Sequence, residues 1–135
     1  MQRRNLLAAA TGLATLALPF AGQAQNAAGG HRHVHSGAEV RIGAFEAELV
    51  VRGSEATLTI VDANEQPVDA ARFRATAVAL GRGNERRNME FRPAGANRLT
   101  SAVDFPFDGK FRATVTLHGP DGLIGTGRYN VDASR

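Results

Sequence analysis

From residue 45 onwards, the chain repeats one pattern: short runs of alternating apolar and polar residues, each followed by a cluster of turn-forming residues. Successive side chains of a β-strand point to opposite faces, so a period of two is typical of strands that bury one face. The runs recur about every 8–12 residues, a spacing common in all-β domains. The pattern predicts seven strands, over residues 45–52, 56–61, 73–80, 87–92, 99–103, 111–117 and 124–131.

The alanine-rich stretch 70–80 is the place where a helix competes with a strand. Arg72 and Arg74 alternate with Phe73 and Ala75, and this period of two favours the strand. Seven short antiparallel strands in about 100 residues are typical of an immunoglobulin-like sandwich. We therefore expect an all-β fold over residues 38–135, a seven-stranded immunoglobulin-like β-sandwich.

The first 24 residues have the composition of an export signal. Arg3 and Arg4 precede an apolar stretch at residues 6–20, and the small residues that a signal peptidase requires follow at 21–24. The stretch is short and rich in Gly, Ala and Thr, which disfavours a transmembrane helix. We expect a cleaved signal peptide and a periplasmic protein that is not inserted in the membrane. The paired arginines leave the twin-arginine route open beside the general secretory route.

Charge and cysteine content narrow the classes of function. The chain has 16 basic and 13 acidic residues and no cysteine. Without Arg3 and Arg4, 14 basic residues remain, which leaves a net charge of only +1. Nucleic-acid binders normally carry a clustered basic surface, so this balance argues against a nucleic-acid partner. Without cysteine the fold contains no disulfide, and metal ligands must be histidine, methionine, carboxylate or backbone groups.

Residues 25–37 hold few apolar side chains and predict a flexible arm before the domain. Three of the four histidines lie in it, at His31, His33 and His35. In an extended backbone these alternate residues share one side, about 7 Å apart. Imidazole is a ligand for copper and zinc, so we expect these three residues to bind such an ion. The alternative is a solvated linker, and Arg32, which repels cations, favours that alternative.

Three further residues are weaker candidates for metal ligands. Glu46 and Glu48 share one face of the first predicted strand, where they would complete a metal shell if the arm folded back. A solvent-facing polar stripe is the more common explanation of such a pair. His118 ends a predicted strand before a Gly-Pro-Asp-Gly turn, where a histidine is more often structural. Met89 alternates with Phe91, which favours packing over binding of Cu(I).

Other motifs bear on partners and on catalysis. Arg82, Arg86 and Arg87 crowd one hairpin, where they either meet an anionic partner or form a solvated loop. The pairs Gly81-x-Gly83 and Gly125-x-Gly127 lack the full glycine pattern of a phosphate loop. The serines have no nucleophile-elbow setting, and no histidine pair accompanies a catalytic carboxylate. We expect no enzymatic activity.

Four segments resemble a group of small bacterial exported proteins with immunoglobulin-like domains. They are FEAELVV at 45–51, TLTIVDANEQPVDA at 57–70, PAGANRL at 93–99 and FRATVTL at 111–117. The D-x-x-x-x-P-V turn that starts at Asp62 is similar to that of periplasmic YtkA-like domains, which are associated with copper and heavy-metal handling. The resemblance implies a β-sandwich and, by association, heavy-metal homeostasis. It implies no particular ligand residues.

Two functions follow as expectations. The first is an exported metal-binding or metal-homeostasis accessory protein that binds copper or zinc through His31, His33 and His35. The alternative is a non-catalytic interaction module that docks on an envelope or efflux component.

Overall fold

A computed structural model describes residues 37–134 of the chain. The predicted signal peptide at 1–24 and the predicted metal ligands His31, His33 and His35 lie outside this described range. Among residues 37–134 there is no α-helix, and the regular elements are nine strands and two short 3-10 turns at Ala70–Arg72 and Arg82–Asn84. The strands are β1 (Ala38–Ile42), β2 (Phe45–Arg52), β3 (Glu55–Val61), β4 (Arg74–Leu80), β5 (Arg86–Pro93), β6 (Arg98–Ala102), β7 (Phe111–Gly119), β8 (Gly122–Val131) and β9 (Ala133–Ser134).

The prediction of an all-β domain is confirmed, and all seven predicted strands are present as β2 to β8. The stretch that could have been helical is the strand β4, preceded by a single 3-10 turn. The strands β1 and β9 were not predicted. Both pair with β2, β1 in antiparallel and β9 in parallel orientation.

The strands form one antiparallel sheet in the order β1-β2-β3-β6-β5-β4-β7-β8, and this sheet is nearly closed into a barrel. The strand β5 joins its two halves. Residues Arg86 to Phe91 pair with β4, and Arg92 and Pro93 pair with β6. Proline cannot donate a ladder hydrogen bond, and Pro93 occupies the last position of its strand, where that loss is tolerated.

The two ends of the sheet order, β1 and β8, contact each other through a glycine. A Cβ atom at Gly127 would lie 2.9 Å from two side-chain carbons of Ile42 and 3.0 Å from Cγ1 of Val40. Real Cβ atoms do not approach carbon this closely, so the side chains of β1 occupy the space that a residue other than glycine would need. The pair Gly125-x-Gly127 therefore permits close strand packing.

The core follows the period of two read from the sequence. In β2, Ala47, Leu49 and Val51 are fully buried, while the residues between them are only partly covered. Tyr129 of β8 is also buried, and its hydroxyl donates a hydrogen bond of 2.7 Å to the carbonyl oxygen of Ala47. This bond satisfies the polar end of the tyrosine inside the domain and ties β8 to β2.

Two aromatic clusters pack against this core. The rings of Phe105 and Phe107 lie 6.3 Å and 5.3 Å from the ring of Phe111, centroid to centroid. The apolar loop before β7 is therefore folded inward. A second pair, Phe45 and Phe73, meets edge to face at 5.2 Å. Such arrangements stabilise a fold beyond the apolar area that they bury.

The predicted turn chemistry is present at residues 62–67. The Asp62 carboxylate accepts hydrogen bonds from the backbone N–H groups of Asn64, at 2.8 Å, and Gln66, at 3.0 Å. The Asn97 side chain donates to the Ile60 carbonyl at 2.9 Å, which fixes the turn before β6 against β3. Within residues 37–134, no helix is long and apolar enough to cross a membrane.

Candidate functional site

The first candidate surface is a group of carboxylates on the outer face of β1 and β2. Glu39 of β1 lies directly opposite Glu48 of β2, and Glu46 lies opposite Arg41. The pKa of the Glu39 carboxyl is raised, first by partial desolvation and then by the charge of Glu46 and a hydrogen bond with the Glu46 side chain. The charges of Glu48 and Glu65 raise it further. We call Glu39, Glu46 and Glu48 the acidic face. Arg41 lies on the same face, so three carboxylates and one guanidinium meet there and the balance of charge is negative.

The predicted weaker ligands are not brought together by the described strands. His118 is half-buried in β7, opposite Arg74 of β4 and Leu123 of β8, and β7 does not pair with β2. Within residues 37–134, no three His, Asp or Glu side chains are arranged to hold a metal ion. Glu46 and Glu48 belong to the acidic face, and His118 is separate from it. Met89 is 95 % buried beside Phe91 in β5, as the packing interpretation predicted (its exposed fraction is 5 %).

The structure divides the predicted arginine cluster. Arg82 donates from Nε to the Asp108 carboxylate at 3.1 Å. Arg87 donates to Glu85 at 3.1 Å, and its guanidinium lies 5.8 Å from the centre of the Phe105 ring. These two charges are therefore compensated by neighbours within the hairpin region. Arg86 points elsewhere, to the outer face of β4.

On that outer face lies a groove of about 570 Å³ between β5, β4, β7 and β8. Three arginines line it, Arg86, Arg112 and Arg128, and we call this feature the arginine groove. Its other lining residues are Val78, Leu80, Ala113, Thr114, Tyr129 and Asn130. Small-molecule sites commonly have volumes of roughly 300–1,000 Å³, apolar walls and a few convergent polar groups. The arginine groove has this composition.

The strand register explains why these arginines gather. Arg112 of β7 lies opposite Asn130 of β8, and Thr114 lies opposite Arg128. Arg112 and Arg128 are thus diagonal neighbours on one face, within reach of long side chains. Arg86 lies opposite Leu80 across β5 and β4 and reaches the groove from the other side.

Sequence reasoning found Arg86 but missed Arg112 and Arg128, and it missed Glu39 in the acidic face. Arg112 and Arg128 occupy outward positions of strands whose cross-strand partners, Asn130 and Thr114, are neutral. That signal becomes visible only when the strand register is known. Glu39 needed the recognition of β1 as a strand.

Comparison with protein-family models, with curated proteins and with solved structures finds no match to this chain.

Proposed function

We propose that the protein is an exported, non-catalytic metal-binding protein that captures copper or zinc through His31, His33 and His35. Within the described domain, the acidic face is the observation that supports this proposal. Its three carboxylates lie on β1 and β2, and the pKa of Glu39 is raised partly because neighbouring negative charges resist its ionisation. A cation near this face relieves that repulsion.

The position of the histidines in the chain adds support. His35 precedes Glu39, the first residue of the acidic face, by four residues. Imidazole and carboxylate together form ligand sets that suit copper and zinc, with metal–nitrogen distances of about 2.0–2.1 Å for zinc. The carboxylates raise the local concentration of cations, and the imidazoles supply the ligands.

We further propose that β2 to β8 form an immunoglobulin-like sandwich, to which β1 and β9 are additions. The pairing β2-β3-β6 and the pairing β5-β4-β7-β8 support this, because they divide the seven strands into a three-strand group and a four-strand group, as in a sandwich. The pairing of β5 with both β6 and β4 links the two groups. Proton–proton contacts across the two groups, measured by NMR, test the arrangement.

The metal proposal is tested by calorimetric titration of copper and zinc into protein purified from the periplasmic fraction of cells that express the full chain. We expect a dissociation constant below about 100 µM at neutral pH, the equivalent of roughly 5 kcal/mol. Replacing His31, His33 and His35 with Ala is expected to remove it. Binding is also expected to weaken below about pH 6, since protonated imidazole does not coordinate metal.

The matched control is His118→Ala, which removes one imidazole from β7 and is expected to leave the affinity unchanged. Retention of full affinity by the triple variant, or absence of binding by the unaltered protein, contradicts the proposal. A second variant with Glu39, Glu46 and Glu48 changed to Gln measures the contribution of the acidic face. We expect that variant to bind metal several-fold more weakly.

A further inference from the structure

The arginine groove brings three like charges together on one sheet face. Arg112 and Arg128 are diagonal neighbours across β7 and β8. Leu80 of β4 lies opposite Arg86 of β5. On its other side β4 pairs with β7, where the pair Ala79–Ala113 places Leu80 level with Arg112. Leu80 therefore lies between the backbones of Arg86 and Arg112. Positive charges gathered on one face raise the local concentration of anions. The groove therefore favours an anion.

The chain itself does not supply an acidic side chain to the groove. Four basic residues elsewhere in the described domain have an acidic partner, in the pairs Arg82–Asp108, Arg87–Glu85, Arg92–Glu90 and Lys110–Asp132. Arg112 instead donates to the neutral side-chain oxygen of Asn84 at 2.8 Å. Among residues 37–134, no ion pair involves a groove arginine. Residues 1–36 contain no Asp or Glu, so they have no acidic side chain to contribute.

The wall between the arginines is apolar, so a ligand of this groove needs an apolar part as well as a negative charge. Val78 faces outward on β4 with 38 % of its surface exposed, and it is one of the described large apolar residues that solvent reaches. Leu80 is partly exposed beside it, and Thr114 and Asn130 add a hydroxyl and an amide. Water contacts this apolar wall in the free protein and leaves it when an apolar body binds.

We propose that the arginine groove is a binding site for a small organic anion that carries carboxylate or phosphate groups on an apolar body. The planar guanidinium groups pair with carboxylate or phosphate oxygens through two parallel N–H···O bonds each. The apolar body covers Val78 and Leu80. This site lies outside the acidic face, and the proposal is independent of metal binding.

The test is a titration followed by NMR chemical shifts and by calorimetry, with two probes at low salt. Benzene-1,3,5-tricarboxylate carries three carboxylates on an apolar ring, and phenyl phosphate carries one phosphate on the same kind of ring. We expect at least one probe to bind with a dissociation constant below about 1 mM. The shifts are expected to be centred on β4, β7 and β8. The tighter probe identifies the head group.

Two double variants and a matched control distinguish binding at the groove from non-specific attraction of anions to positive charge. Arg112→Gln with Arg128→Gln, and Arg86→Gln with Arg128→Gln, each remove two groove charges. Because hydrogen bonds to charged groups are stronger than those between neutral groups, we expect at least about tenfold weaker binding in both. Arg74→Gln with Arg98→Gln removes the same charge from exposed positions outside the groove and is expected to leave the affinity unchanged. Thermal unfolding confirms that each variant is folded.

Several results overturn the proposal. One is the absence of binding by both probes, and another is equal weakening in the groove variants and in the control, which indicates non-specific attraction. Inorganic phosphate tests the head group without the apolar body. If it binds as tightly as both ring probes, the apolar wall takes no part, which contradicts the proposed ligand class.

Discussion

At the scale of single residues, the acidic face places like charges opposite each other on the surface of the domain. Glu39 and Glu48 lie opposite each other in an antiparallel pair, with Glu46 on the same face. The pKa of Glu39 is raised, first by partial desolvation and then by Glu46 and its other acidic neighbours. A raised pKa means that the folded state holds the proton of Glu39 more tightly than the unfolded chain does.

This pKa shift predicts a stability change that depends on pH. Proton binding by Glu39 favours folding below the ordinary glutamate pKa, and this contribution is lost as the pH rises through the folded pKa. At pH 7 the ionised side chain therefore opposes folding. We expect Glu39→Gln to increase the free energy of unfolding by at most roughly 0.5 kcal/mol at about pH 7, because it removes a partly desolvated charge and its like-charge repulsion, which solvent screens at this exposed position.

Urea unfolding at neutral pH and at about pH 4 measures this effect, and the gain should shrink towards zero at the lower pH. Glu55→Gln is the control, because Glu55 lies opposite Arg52 and Ala102 and away from the acidic face. A stabilisation by Glu39→Gln that is the same at both pH values would show that charge is not its cause.

At the scale of strands, the contact between β1 and β8 depends on a missing side chain. The side chains of Ile42 and Val40 occupy the space beside Gly127. We expect Gly127→Val to lower the free energy of unfolding by about 1–3 kcal/mol, as overpacked core substitutions do. Chemical denaturation measures the loss.

The control for this substitution is Thr126→Val, which places the same side chain on the exposed face of β8. Ile42→Ala combined with Gly127→Val adds a second check. Since Ile42 supplies the clashing atoms, the double variant should lose less stability than the sum of the two single losses. Additive losses, or a Gly127→Val protein as stable as the parent, would mean that β1 does not pack on β8 in this way.

The strands also show how far sequence patterns reach. The seven runs with a period of two correspond to β2 to β8. They could be predicted because each run contains enough apolar residues to show the alternation by itself. β1 has the same alternation in Ala38, Val40 and Ile42, but it is short and follows a Gly- and His-rich segment. It is a strand because β2 pairs with it. β9 has two residues and depends entirely on β2.

At the scale of the whole described domain, two outer faces hold groups of like charge. Three carboxylates lie on β1 and β2, with Arg41 among them, and three arginines lie on β5, β7 and β8. The sequence showed Arg86 only as a neighbour of Arg82 and Arg87. The fold gives those two acidic partners and places Arg86 with Arg112 and Arg128, which are distant along the chain. Such grouping depends on strand order, so local patterns do not reveal it.

The histidine triplet differs from the arginine groove, because local spacing in the sequence is enough to recognise it. His31, His33 and His35 alternate within five residues. The proposal that they bind a metal rests on imidazole chemistry and on their spacing. The core of the described domain contains no histidine, so the proposed site lies outside that core.

The most direct test of the metal proposal is electron paramagnetic resonance of the full chain loaded with one equivalent of Cu(II), with histidine nitrogens labelled with ¹⁵N. We expect hyperfine coupling from the imidazole nitrogens of the triplet, unchanged in His118→Ala and lost when His31, His33 and His35 are replaced with Ala. A spectrum without imidazole coupling, or one that the triple substitution leaves unchanged, would contradict the assignment of metal binding to these three histidines.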